Sequence, residues 1–395
     1  MKKYLYTVLF AILLGLYGFP AQAQSPGDIS PFITHTSANY QFIVEPGAVS
    51  SLPSLIHELE SRFELYNRLF RFNTEMLPAP LRVSVFINPA SYDSYLGSKL
   101  EAVNPGAIYL HYDNYIFNEL VVLRGSPEEP AMLAGQSFIQ FLKGFIPNPP
   151  LWLLEGFSIY FNKIRYDSED EVLLFEENLS WLNTAKDLGQ NTAHPVQILT
   201  AGADQQTRDL RISSWALVSF LMHNSEYFRT LTESFMVLLP QNSTEENSRA
   251  VMDRFSIWTD FDVLYNEYNT YINSRKTFQE HIEEGRLYLE TADVMMAELS
   301  FMSARDQRPY HYAPYYYLGL LYYEENIPGL AEEYYLLSFE NGGDEALILY
   351  ALGINAIRAG RYDDAISWLE NARTLDPARY RARTDELIER LISIP

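Results

Sequence analysis

The chain of 395 residues contains no cysteine and only seven histidines, and its 51 acidic residues outnumber its 29 lysines and arginines. The first absence excludes disulfides, thiolate zinc sites, iron–sulfur clusters and any cysteine nucleophile. It also removes the residue to which a lipid anchor would be attached. The second leaves His35, His57, His111, His194, His223, His281 and His311 to carry any metal or proton-transfer chemistry. The scarcity of cations, with a net charge of −22, argues against a nucleic-acid partner, because phosphate recognition draws its affinity from Lys and Arg. No Gly-x-Ser-x-Gly elbow, phosphate loop or dinucleotide fingerprint occurs. What the chain does have is apolar material for packed cores, at 47% hydrophobic residues, and an unusual load of 29 Tyr and 23 Phe. Its length suggests two or three domains rather than one.

Lys2 and Lys3 precede an apolar run from Tyr4 to Phe19, followed by Pro20-Ala21-Gln22-Ala23. That order, with small residues at the cleavage positions, is the form of a secretory signal. Residues 1–23 are therefore expected to be removed on export. The run is shorter than the ~20 residues of a spanning helix, and no later stretch is long and apolar enough, so no membrane span is expected in the mature form. A periplasmic or extracellular location is the expectation.

A period of 34 residues organises the C-terminal third. Leu318-Gly319 answers to Leu352-Gly353, Ala331 to Ala365 and Tyr335 to Leu369, and an earlier unit places Gly285, Ala297 and Phe301 in register. Units 278–311, 312–345 and 346–379 each resemble a tetratricopeptide repeat. Residues 380–392 carry Leu387, Ile388 and Leu391 on one face, as an extra helix capping such an array would. The resemblance implies an all-α superhelix over 276–395 that binds a protein or peptide partner. Within the tyrosine-rich stretch, Tyr316 and Tyr323 fall off the core register and are the candidate binding residues.

Residues 24–275 read as an α+β domain. Segments 40–45 and 82–87 have strand composition, and 51–72 has helical spacing. Residues 107–112 and 115–123 read as two further strands; 129–144 and 151–163 read as helices split by Pro147-Asn148-Pro149-Pro150, and helices follow at 192–200, 208–223, 225–238, 243–255 and 259–275. Residues 149–161, PPLWLLEGFSIYF, resemble the Pro-x-Trp-Leu-x-Glu-Gly segment of the peptidase MA-like, or gluzincin, metallopeptidases. Ser213-Ser214-Trp215-Ala216-Leu217 resembles a helical segment that such enzymes carry after the active site. The resemblance implies a zincin-like mixed sheet with helices, and places Glu155 at the position of a zinc-binding glutamate.

The same resemblance requires His-Glu-x-x-His about fifteen residues earlier, where this chain has Gln136-Ser137-Phe138-Ile139-Gln140. A glutamine amide offers zinc a neutral oxygen in place of a basic nitrogen, and a serine hydroxyl cannot take a proton from bound water as a carboxylate does. No metal, no cofactor and no hydrolysis are therefore expected at the degenerate site Gln136, Ser137, Gln140 and Glu155, with Glu155 bonded to Gln136 or Gln140. His57-Glu58-Leu59-Glu60-Ser61 begins like the motif but ends in serine, and reads as an exposed helix face. The functional expectation is an exported, catalytically inactive metallopeptidase-like protein whose repeats mediate protein binding or assembly in the cell envelope. Two alternatives stay open: a zinc-dependent peptidase with a non-standard ligand set, and a binder of cell-wall carbohydrate. A further possibility is that the cleft holds an extended peptide along an edge strand at about 115–123 without cutting it.

Overall fold

Short β-branched and aromatic segments, separated by helices of apolar 3.6-residue spacing, build the first half of the protein, and helical hairpins build the rest. The computed structural model describes residues 32–97, 99, 106–112, 114–167 and 169–393, so the leader expected at 1–23 lies outside the described residues. Contacts divide the chain into two units, Met1–Arg275 and Lys276–Pro395. No helix among the described residues is long and apolar enough to cross a membrane.

The first unit contains a five-stranded mixed sheet in the order β1-β2-β3-β5-β4, with β1 Ile33–Thr36, β2 Tyr40–Val44, β3 Leu81–Phe86, β4 Ala107–Leu110 and β5 Glu119–Leu123. Helix α1, Leu52–Phe70, joins β2 to the parallel strand β3, as a parallel neighbour requires a crossover. β5 continues parallel to β3, and β4 closes the sheet antiparallel to β5. Helix α2, Pro89–Gly97, covers one face, where Tyr92 and Leu96 pack with Phe86, Ile108 and Val121. Helix α3, Glu129–Phe145, covers the opposite face, where Leu133, Phe138 and Leu142 join Val83, Val85, Tyr109 and Leu120 in the main core.

Two details correct the sequence reading. Asn114 Oδ1 accepts from Ile116 N at 3.2 Å, and Asn118 Oδ1 accepts from Tyr112 N at 2.7 Å, so Tyr115–Phe117 form a 3₁₀ turn and the strand begins at Glu119. That strand is interior. The edge strands are β1 and β4, and the edge expected at 115–123 is not an edge at all. Strand β1, helix α2, a hairpin of β6 Arg165–Asp167 and β7 Val172–Leu174, and helix α5 Leu182–Leu188 are additional elements. Helix α4, Leu151–Tyr160, is buried at every position, and α6 Pro195–Thr200 through α10 Phe261–Ser274 complete the unit; among these, α7 spans Arg208–His223, as its spacing predicts.

The second unit is a helical array resembling a tetratricopeptide superhelix. Helix pairs Phe278–Glu290 with Val294–Gln307, Tyr312–Glu324 with Pro328–Glu340, and Glu345–Arg358 with Tyr362–Leu375 repeat every 34 residues, and Pro377–Ile392 follows. One contact recurs in each pair. A Cβ at Gly285 would lie 2.5 Å from the Phe301 ring, at Gly319 2.6 Å from Tyr335, and at Gly353 2.7 Å from Leu369. Glycine on the first helix thus admits a large side chain sixteen residues later. The turn inside each hairpin also repeats, with left-handed φ of 58° at Ala292, 59° at Asn326 and 74° at Gly360. Pro328, an apparent departure from the repeat pattern, stands at the first position of its helix, where no backbone N–H is needed.

Candidate functional site

Helix α3 places Gln136 and Gln140 one turn apart on one face, as the i, i+4 spacing dictates. Both side chains are committed to the sheet. Gln136 Oε1 accepts from Tyr109 N at 2.8 Å, and Gln140 Nε2 donates to Arg82 O at 2.7 Å. The Leu123 N to Gly106 O bond at 2.8 Å sets the β4–β5 ladder. By antiparallel alternation, the peptide groups of Tyr109 then point away from β5, toward the free edge. Gln136 therefore occupies an edge N–H that an added strand would use. Ser137 is fully buried and bonded to its own helix at Ala134 O, 3.1 Å, with Tyr66 Oη 3.3 Å away.

Glu155 departs from the sequence expectation, because it bonds to neither glutamine. Its Oε1 accepts from Gln206 Nε2 at 2.6 Å, and its Oε2 lies 2.7 Å from Arg211 Nε. The Arg211 N–H is not aligned as a hydrogen bond, so charge holds this contact. Burial pushes the Glu155 carboxyl above its ordinary range, and Arg211 and Gln206 pull it back. The physical reason is composition: α4 is apolar throughout except for Glu155, Gly156 and Ser158, and a buried carboxylate needs a cation. Arg211 supplies it from α7, the helix that carries Ser213-Ser214-Trp215-Ala216-Leu217. The signal was present in the sequence as one of few arginines beside that segment, but a partner 56 positions away leaves no local pattern.

Gly156 explains the other half of the Glu-Gly pair. A Cβ there would lie 2.6 Å from Val218 Cγ2 and 2.7 Å from Ser214 O, so glycine sets the close crossing of α4 and α7. His57 is exposed and 3.4 Å from Glu171, while the neighbouring Glu58 is buried against Arg62 at 2.6 Å. The helix face read as solvated is thus half buried at its glutamate.

The residues do not fit zinc. Two neutral amides are bonded to backbone, Ser137 to its own helix, and Glu155 to Arg211 and Gln206; among the described residues no group of three or more His, Asp or Glu is placed to hold a metal ion.

No known protein family matches the chain, and no curated protein matches it. Among solved structures it is similar to a chain described as "Crystal structure of APC/C hetero-tetramer Cut9-Hcn1", at 16% identity and a TM-score of 0.28, covering 53% of this chain and 39% of that one. A likeness of that score carries no argument, and the repeat architecture rests on the helix pairs themselves.

In the array, Tyr316 and Tyr323 are both half-buried. Tyr316 lies with its ring 5.9 Å from Tyr335, and the Arg358 guanidinium sits 3.7 Å from the Tyr323 ring centroid. Tyr350 occupies the position of Tyr316 one repeat later and stacks on Tyr380 at 5.0 Å. Most of the tyrosine cluster is packing: Tyr335 is 2% exposed, and Tyr322 and Tyr334 stack at 5.4 Å.

A cleft of about 790 Å³ opens at the C-terminal end of α3. Arg82, Lys143, His111 and Gln140 line it with Tyr109, Tyr112 and apolar residues. Burial alone pushes the Lys143 ammonium down to about 8, and among the described residues its hydrogen bond is to Pro147 O at 3.3 Å. The unfolded chain holds this proton up to about 10.4. The burial cost is therefore present in full below pH 8 and is relieved as the pH rises toward 10.4, where the native state has released the proton first. Lys143→Met is expected to raise stability at pH 7 by about 2 kcal/mol, with the gain fading by pH 10. Urea titrations of the two proteins at both pH values measure it.

Proposed function

We propose that the protein is an exported, non-hydrolytic binding protein, in which a metallopeptidase-like unit is joined to a tetratricopeptide-like array that docks a protein partner. The observation that carries the loss of hydrolysis is the commitment of Glu155 to Arg211 and Gln206. A carboxylate neutralised by a guanidinium has no free charge for a cation, and the two glutamines spend their amides on the backbone of β4 and β3. The reading of the first unit as peptidase MA-like is supported by the mixed sheet with its antiparallel edge strand, by the helix carrying Gln136 and Gln140 beneath it, and by the packing of the Glu155-Gly156 helix on the Ser213–Leu217 segment.

Binding by the array follows from its construction. Successive first helices present Tyr316, Leu320 and Tyr323, then Tyr350, Ile354 and Ile357, at the same offsets and half-buried. Such a stripe of half-covered aromatic and aliphatic groups loses little entropy on ordering and gains apolar burial when a peptide or helix lies across it. Export rests on the leader-like residues 1–23. The test is capture from an envelope extract by the full chain, compared with Tyr316→Ala/Tyr323→Ala. A partner held by the wild type and lost by a double variant of unchanged helicity is the expected result. Equal capture by both proteins would overturn this surface.

A further inference from the structure

The cleft at the end of α3 is out of character with the rest of the molecule. The chain carries −22, yet among the described residues lining this cleft there is no carboxylate, while Arg82, Lys143 and His111 all reach it. Neither Arg82 nor Lys143 makes an ion pair among the described residues; Arg82 Nη1 donates to Ile116 O at 3.0 Å and Lys143 Nζ to Pro147 O. Among the described residues the buried donor Arg82 Nε has no hydrogen-bond partner. In a protein with so many surplus acids, two cations left without a counter-ion in one concavity are costly unless an anion visits. Met76, Leu81, Ile116 and Phe145 supply apolar wall, with the neutral amides of Gln41, Asn118 and Asn148 also at the lining. The cleft has the size of small-molecule sites and combines polar with apolar walls.

We propose that this cleft binds a small organic carboxylate carrying an apolar tail, with Arg82 and Lys143 meeting the carboxylate and Met76, Leu81, Ile116 and Phe145 covering the tail. Arg82 can offer Nη2 and the second hydrogen of Nη1 without giving up the Ile116 bond, because that bond uses one N–H of Nη1. Lys143 has donors beyond the single bond to Pro147 O. Gln140 Nε2 holds Arg82 O, so the same amide that fastens α3 to β3 also fixes the base of the guanidinium-bearing strand. The site does not depend on the helical array or on a metal.

The test is calorimetric titration of the full chain with decanoate, decanol and acetate. Decanoate is expected to bind at one equivalent, and decanol and acetate at least tenfold more weakly, since each lacks one half of the recognised chemistry. Lys143→Met and Arg82→Gln are each expected to weaken decanoate at least tenfold and to leave decanol unchanged, whereas Arg82→Lys keeps most of the decanoate affinity. The lysine variant keeps the test sound, because it is expected to be more stable than the wild type. Decanol binding as tightly as decanoate, no decanoate binding at millimolar concentration, or unchanged affinity in Lys143→Met would each overturn the proposal.

Discussion

Glu155→Leu is expected to destabilise the first unit by about 3 kcal/mol, and Arg211→Met by a similar amount, while the double variant lies within about 1 kcal/mol of the wild type. Each single change strands a buried charge. With Glu155 gone, a guanidinium whose side chain is 17% exposed keeps, among the described residues, the Trp181 ring 5.4 Å away as its favourable neighbour. With Arg211 gone, the Glu155 carboxylate is left with Gln206 alone. Removing both trades a charge contact without an aligned hydrogen bond for apolar packing, which is about neutral for buried pairs. The pH response separates the two singles. A carboxyl raised by burial is a liability above its folded pKa, where it is ionised, and the liability is relieved as the pH falls through that value. Arg211→Met is therefore expected to recover stability toward acid pH, and Glu155→Leu is not. Urea titrations of all four proteins at pH 7 and pH 5 measure both effects; additive single losses in the double variant would show that the two side chains act separately.

Gly156→Ala is the second large effect. Alanine is the better helix former by about 1 kcal/mol, but here the new methyl meets Ser214 O at 2.7 Å and Val218 Cγ2 at 2.6 Å. The valine can turn; the carbonyl belongs to a helix fixed by the core and cannot. Moving α4 away from α7 opens a contact between two largely buried helices and also shifts Glu155 against Arg211. A net loss of about 2 kcal/mol is expected from overpacking. Gly329→Ala, with nothing within 4 Å of its added methyl, serves as the contrast and is expected to change stability by less than about 0.5 kcal/mol. Thermal unfolding of both variants reads the difference, and a neutral Gly156→Ala would mean that α4 and α7 are not as closely crossed as described.

The parts of this molecule legible in sequence are those written in local periodicity. The 34-residue repeat was visible because each hairpin reuses one glycine, one large residue sixteen positions on and one tight turn, and the structure places Gly285, Gly319 and Gly353 in that same contact. Helix Arg208–His223 was legible from its spacing, and the structure adds a Thr207 cap whose side chain accepts from Leu210 N. Edge identity was not legible. It depends on strand order, and only the asparagine bonds that turn Tyr115–Phe117 aside separate the interior strand β5 from the preceding turn. The partner of Glu155 was likewise hidden, because tertiary charge pairing has no sequence period. The need for a partner could be read, since a lone carboxylate stands in an apolar helix; its identity could not.

The central claim, that Glu155 is held by protein side chains and serves no metal, is tested most directly by the zinc content of purified full-length protein, followed by titration of zinc into the chelator-treated chain. Substoichiometric zinc is expected, with no binding tighter than about 10 µM by the criterion that neutral amides are poor zinc donors. One equivalent of zinc bound through chelator treatment, and lost in Glu155→Gln, would contradict it.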